Sequence, residues 1–219
     1  MSFYIDDIKY SLDELQKRIE NTDLVPSRIS LLKNIDIIFK KLKKQGINTL
    51  SELRKQLKTT KSLKSFSIES GLDEEYLTLL RREIESHFPK AYSTNEFEWL
   101  SKTECEKLTV AGFNNTKKIY DKLVNRDNIK MISTELKINI SFLETLLSLV
   151  DLTRIQWTSP LFARMLLEAG YDSTKKVAQA DAEELYNKLY TVNKKKNYFK
   201  GKIGLRDIKR LVNSAKYVS

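Results

Sequence analysis

Two stretches of this chain, AGFNNTKKI at 111–119 and AGYDSTKKV at 169–177, are nearly the same nine residues written 58 positions apart. Repetition constrains a fold more than composition does, because each repeated unit must stack on its neighbours to bury its apolar face. The likeness extends backwards: WLSKTECEKLTVAGFNNTKK (99–118) and WTSPLFARMLLEAGYDSTKK (157–176) are identical at 8 of 20 positions without a gap. A third copy, LKKQGINTLSEL (42–53), aligns with 108–119 at an offset of 66. FSIESGLDEEYLTLL (66–80) continues the same offset, matching Ser67 to Ser133, Glu69 to Glu135, Leu77 to Leu143 and Leu80 to Leu146, and SLDELQKRI (11–19) is a half-copy of TLSELRKQL (49–57).

Each copy reads as a helix, a tight turn and a second helix. Good helix formers such as Arg164, Met165, Leu166, Leu167, Glu168 and Ala169 run up to a glycine, which takes a left-handed backbone without steric cost. An ending of this kind packs the residue after the glycine on the one four before it. Those pairs are Leu42 with Ile47, Leu108 with Phe113 and Leu166 with Tyr171, all apolar. Thr49, Asn115 and Ser173 stand three residues past each glycine as N-caps, and Thr49 with Glu52, Ser11 with Glu14 and Asp181 with Glu184 have capping-box spacing. Strand alternation never persists, and only 6 Gly and 3 Pro leave few turns for a sandwich or barrel. The expected fold class is all-α, with tandem helix-hairpin-helix-like repeats. The expected organisation is N-terminal helices with a first repeat over 1–88, a linker over 89–97 with Pro89 and small polar residues, and two further repeats with a basic C-terminal helix over 98–219.

The segment DLTRIQWTSPLFARMLLEAGYDSTKKVAQADAEELYNKL (151–189) resembles the tandem helix-hairpin-helix proteins grouped as domain-of-unknown-function family four-three-three-two. The signature positions are Asp151, Leu152, Ile155, Leu166, Ala169, Gly170, Thr174 and Leu185, and IGLRDIKRLVNSAK (203–216) resembles the family's last helix. The resemblance covers roughly 42–216 and implies stacked helical hairpins; it implies no function. DNA-binding hairpins of this superclass carry a Gly-hydrophobic-Gly turn, whereas the corresponding turn here, QWTSP (156–160), has no glycine. Trp99 and Trp157, at equivalent positions, are expected to pack between repeats rather than stack on bases.

Net charge is +10, held in two clusters. Residues 40–64 carry nine cations against Glu52 alone, and residues 188–210 carry nine against Asp207 alone, which leaves the rest of the chain at −6. Concentrated patches on a mildly acidic body suit a polyanion, and they also suit solvated helix faces. In FKGKIGLRDIKR (199–210) Gly201 and Gly204 are expected to separate a helix ending near Phe199 from the last helix, and to offer backbone donors to phosphate. The candidate nucleic-acid-binding residues are therefore Lys194, Lys195, Lys196, Lys200, Gly201, Lys202, Gly204, Arg206, Lys209 and Arg210. Lys117, Lys118, Lys175 and Lys176 join them. They sit in first turns of helices, where a cation opposes the macrodipole by about 0.3–1 kcal/mol and a phosphate would relieve it, although exposed lysines also tolerate so small a penalty.

Catalytic patterns are missing. His87 is the one histidine, expected at the surface or in packing within the linker, and Cys105 is expected to be buried and inert. Asp6 with Asp7, and Glu74 with Glu75, read as first-turn helix residues. There is no Walker loop, metal-ligand spacing or dinucleotide fingerprint. MSFYIDDIKYSLDELQ has no signal-peptide character, and no window holds the roughly 18 apolar residues of a membrane span. The expectation is a non-enzymatic cytoplasmic protein without cofactor or metal, binding DNA or RNA phosphates non-specifically. The alternative is a scaffold for a protein partner.

Overall fold

The structure is a computed structural model and describes residues 2–218. Among them are thirteen α-helices and two short 3₁₀ turns, with no strand. The chain divides into two compact units, Ile5–Phe88 and Met1–Tyr4 with Pro89–Ser219.

In the first unit, α1 (Leu12–Asn21), a 3₁₀ turn (Pro26–Leu32), α2 (Ile35–Lys44), α3 (Leu50–Leu57), α4 (Thr60–Ser70) and α5 (Glu74–Ser86) enclose one core. Each helix feeds it at three- and four-residue intervals: Leu12, Leu15 and Ile19; Leu50, Leu53 and Leu57; Leu77, Leu80 and Ile84, all essentially inaccessible. Glu74 and Glu75 occupy the first turn of α5 as expected. Asp6 and Asp7 do not begin a helix; they lie in a turn, and Asp7 accepts a hydrogen bond from Arg54 at 2.8 Å. His87 is also not a linker residue. It caps the C-terminus of α5 and is 4% exposed.

In the second unit, a 3₁₀ turn (Thr94–Glu96) leads to α6 (Lys102–Val110), α7 (Thr116–Leu123), α8 (Asp127–Leu136), α9 (Ile140–Leu152), α10 (Pro160–Glu168), α11 (Thr174–Ala178), α12 (Ala182–Lys196) and α13 (Leu205–Ala215). The sequence of α9, ISFLETLLSLVDL, is apolar round most of its circumference, and α9 packs on α7, α8 and α10 at once. The last helix, α13, is strongly two-faced: Ile208, Leu211, Val212 and Ala215 are buried against α11 and α12, while Arg206 and Lys209 face water.

The three glycine joints share one backbone geometry. Gly46, Gly112 and Gly170 have φ of 78°, 90° and 91°. The N–H groups of Ile47, Phe113 and Tyr171 donate to the carbonyls of Leu42, Leu108 and Leu166 at 3.2, 2.8 and 2.9 Å. The glycine N–H groups donate to Lys43, Thr109 and Leu167, each at 3.0 Å, which completes the Schellman pattern and satisfies the last carbonyls of each helix. Thr49, Asn115 and Ser173 then cap the next helix through their side-chain oxygens. A Cβ added at Gly112 or Gly170 meets no atom within 4 Å. The cost of a side chain there is thus purely conformational. Gly112→Val and Gly170→Val should each destabilise by about 1–2 kcal/mol, read as lowered melting temperatures with no new clash. Melts like the parent's would mean the joints tolerate right-handed residues.

The joints are also tied to an earlier segment of the chain. An isolated antiparallel bridge joins Ser11 to Thr49, with Leu12 N–H donating to Asn48 at 2.9 Å and Leu50 N–H donating to Tyr10 at 2.8 Å. A second bridge joins Ser93 to Asn115, with Thr94 N–H donating to Asn114 at 3.3 Å and Thr116 N–H donating to Tyr92 at 2.8 Å. Two helix starts are thereby held side by side, and each uses a donor that a helix start otherwise leaves without a partner. Among the described residues the third joint has no such bridge. There the Thr174 N–H donates instead to the Asp151 carboxylate at 2.7 Å.

Candidate nucleic-acid interface

The stretch from Tyr186 to Lys202 runs through the last turns of α12 into a loop. The last turn of α12 carries Lys194, Lys195 and Lys196, where cations complement the helix macrodipole. The helix ends at Lys196, not near Phe199 as the glycines suggested. Asn197 supplies the left-handed residue (φ 52°), and its amide closes on Asn193 at 2.7 Å. Asparagine tolerates that conformation better than most side chains, so no glycine is needed there.

The loop is anchored at both ends. Asn193 grips Phe199 twice, its Nδ2 donating to the Phe199 carbonyl at 2.9 Å and its Oδ1 accepting the Phe199 N–H at 2.8 Å. Tyr198 donates its hydroxyl to Glu168 at 2.7 Å, and the Arg164 guanidinium stacks on the Tyr198 ring at 4.7 Å. Burial alone would raise the Glu168 carboxyl, but the Tyr198 hydroxyl and Arg164 together outweigh it and hold the group below its usual value. Gly201 lies under the Phe199 ring, where a Cβ would stand 2.7 Å from a ring carbon. Gly204 is the N-cap of α13, and its N–H donates to Asp207 at 3.0 Å. That donor is satisfied within the helix start, so it is not offered outward to a phosphate.

Lys194, Lys195, Lys196, Lys200, Lys202 and Lys209 are exposed and make no ion pair among the described residues. Arg206 is exposed, and Arg210 is half-buried with its guanidinium 3.8 Å from Asp207. Two aromatic rings outside the candidate set stand among these lysines. Tyr190, 58% exposed, stacks on Tyr186 one turn earlier and precedes Lys194 by one turn; Phe199 is 44% exposed. The run YTVNKKKNYFKGK displays this interleaving, and it was legible in the sequence.

The first-turn lysines divide. Lys117 pairs with Asp121 and Lys176 with Asp172, each four residues away, so two of the four cations are neutralised locally. Lys118 and Lys175 remain exposed. In the other unit, Arg54 is removed from the 40–64 cluster by two carboxylates, Glu85 at 2.9 Å and Asp7 at 2.8 Å, and by the Phe88 ring at 3.6 Å. Lys43 pairs with Asp13, and Lys64 lies 3.8 Å from Glu74.

The tryptophans part company. Trp99 packs as expected, with the Arg164 guanidinium 5.0 Å over its ring and Phe97 tilted against it at 5.6 Å. Trp157 does not: it is 55% exposed with φ 66°. Thr153, Arg154, Ile155, Gln156 and Thr158 around it are all buried, and the left-handed backbone turns the one remaining residue outward. Cys105 is buried, and burial raises its thiol. Among the described residues no helix is long and apolar enough to cross a membrane, and no group of acidic, His or Cys side chains could hold a metal ion.

Such features define an all-α protein of helix pairs joined at glycine-ended turns, with an anchored loop of lysines and aromatic rings before its last helix. The chain belongs to the family described as Domain of unknown function (DUF4332), whose family model matches residues 98–218. Neither a curated protein nor a solved structure matches it.

Proposed function

We propose that this chain is a non-enzymatic, tandem helix-hairpin-helix-like protein that binds nucleic-acid phosphates without reading sequence. The observation that supports it is the anchored 190–202 segment, where five unpaired lysines alternate with two exposed aromatic rings. Lysines grip the backbone and rings stack on bases, a combination suited to single strands because every base has a π-face. Fluorescence anisotropy against mixed-sequence DNA and RNA tests it. Affinity should fall steeply with salt, and on duplex DNA each phosphate contact contributes about −0.9 to the log–log slope. Replacing Lys194, Lys195, Lys196, Lys200 and Lys202 by glutamine should flatten that slope and remove most binding while the helical spectrum stays. Tyr190→Ala or Phe199→Ala should weaken single-strand binding by about 1–3 kcal/mol each. Absence of binding at low salt would sink the proposal.

One observation favours the second reading, a scaffold for a protein partner: the outward, left-handed Trp157. Tryptophan is a common interface anchor, and a side chain held in an unfavourable backbone region marks a place where function competes with stability. Trp157→Ala separates the readings. Loss of nucleic-acid affinity assigns the ring to base stacking, and unchanged affinity leaves it to a protein contact.

A further inference from the structure

The second unit is built from a contiguous run, residues 89 onward, except for one short piece. Ser2–Tyr4 belong to it although the chain continues at Ile5 into the other unit. Phe3 is fully buried in the core formed by Leu108, Ile119, Leu123 and their neighbours. Its ring meets Tyr120 edge-on at 6.0 Å, a favourable aromatic arrangement. Its backbone is held from both sides. The Phe3 N–H donates to Asp121 Oδ1 at 2.9 Å, and Arg154 Nε donates to the Phe3 carbonyl at 3.2 Å.

The groups that hold Phe3 also have partners of their own. Arg154 is 6% exposed, donates through Nη1 to Asp151 and to the Tyr120 hydroxyl, each at 2.7 Å, and lies 4.3 Å over the Tyr120 ring. Asp121 is anchored by Lys117 on the same helix. The contiguous body thus encloses one aromatic side chain and sets one acceptor and one donor against its backbone. The piece that fills it is 118 and 151 residues away in sequence from the residues that bind it.

We propose that Tyr120, Asp121 and Arg154 form a socket for a short peptide segment presenting a phenylalanine, and that residues 2–4 occupy it as an exchangeable internal ligand. The ligand class is set by the contacts. The residue must carry a backbone N–H for Asp121, which excludes proline and N-methylated residues, and a ring that fills the Phe3 site. An internal occupant lowers the fraction of chains able to take a competing peptide, so the apparent affinity of the intact chain is reduced by that fraction.

The test uses the full chain with Phe3→Ala and a labelled peptide, acetyl-Ser-Phe-Tyr-Ile-amide. The variant should bind it about tenfold or more tightly than the parent does, because its socket is empty. A peptide with N-methyl-phenylalanine, or with alanine for phenylalanine, should not bind. Adding Asp121→Ala should weaken binding by about tenfold or more, the usual worth of a hydrogen bond to a charged group. A Phe3→Ala chain with the parental helical spectrum that does not bind the peptide overturns the proposal. If that variant does not fold, hydrogen exchange on the parent replaces it: millimolar peptide should speed exchange of the Phe3 amide while leaving α9 amides unchanged. Unchanged Phe3 protection would equally overturn it.

Discussion

Asp151→Ala should cost about 3 kcal/mol, near the lower end of what removing one partner of a buried ion pair costs. The side chain does two jobs. Oδ1 accepts from Arg154 Nη1 at 2.7 Å, and Oδ2 accepts the Thr174 N–H at the start of α11. Truncation would leave Arg154 buried without a carboxylate and would free a helix-start donor that the other two joints give to a backbone carbonyl. With about 2–4 °C of melting temperature per kcal/mol for a chain of this size, a drop of roughly 10 °C is expected. Asp151→Asn divides the effect. It keeps an acceptor for Thr174 but removes the charge, so its cost should isolate the Arg154 pairing. A melt unchanged by Asp151→Ala would show that Tyr120 and the Phe3 carbonyl suffice for Arg154.

Stability of the first unit should fall as pH drops below neutrality. His87 is buried beside Glu83, with Nε2 3.3 Å from its Oε1, and the Arg28 guanidinium lies 3.5 Å from Glu83. Burial drives the His87 pKa from its ordinary 6.5 down to about 4, and the charge on Arg18 adds to the shift against the Glu83 hydrogen bond. Burial raises the Glu83 carboxyl, but His87, Arg28 and Arg18 outweigh it and hold the group low. Both groups therefore bind protons more readily in the unfolded chain. The stability they confer is complete above about pH 6.5, declines as His87 protonates in the unfolded state, and declines further below the ordinary glutamate range. For His87 alone the loss by pH 4 is on the order of 3 kcal/mol. Denaturant melts from pH 7.5 to 4 should show it, and His87→Asn should flatten the segment between pH 6.5 and 4.5. A profile already flat in the parent would mean that water reaches the imidazole.

How much of this was legible in the sequence depends on the range of each interaction. The glycine joints were readable in full, because a Schellman ending and its following N-cap lie within about eight residues and their hydrogen bonds close locally. The same holds for the capping boxes of Ser11 and Thr49, and for the cores that α1, α3 and α5 fill at helical spacing. The Ser93–Glu96 box is equally local, and its signal is the Tyr-Ser of 10–11 recurring at 92–93. The basic run and its aromatic rings were written in the sequence as well.

Side chains of ambiguous character were placed by long-range packing. Trp99 and Trp157 align in the repeat, yet one packs under Arg164 and the other faces water, because the residues flanking Trp157 claim the interior. Gly204 reads in sequence as an open donor, but Asp207 accepts its N–H. Phe3 gave no sign of a role, since its partners Asp121 and Arg154 are 118 and 151 residues distant. The helices and their joints follow from local sequence, because backbone preferences and hydrogen bonds between near neighbours set them. The tertiary structure alone decided the Asp151–Arg154–Phe3 network, the buried His87 and the outward Trp157. Burial and pairing across such separations arise only when the whole chain has chosen which surfaces to cover.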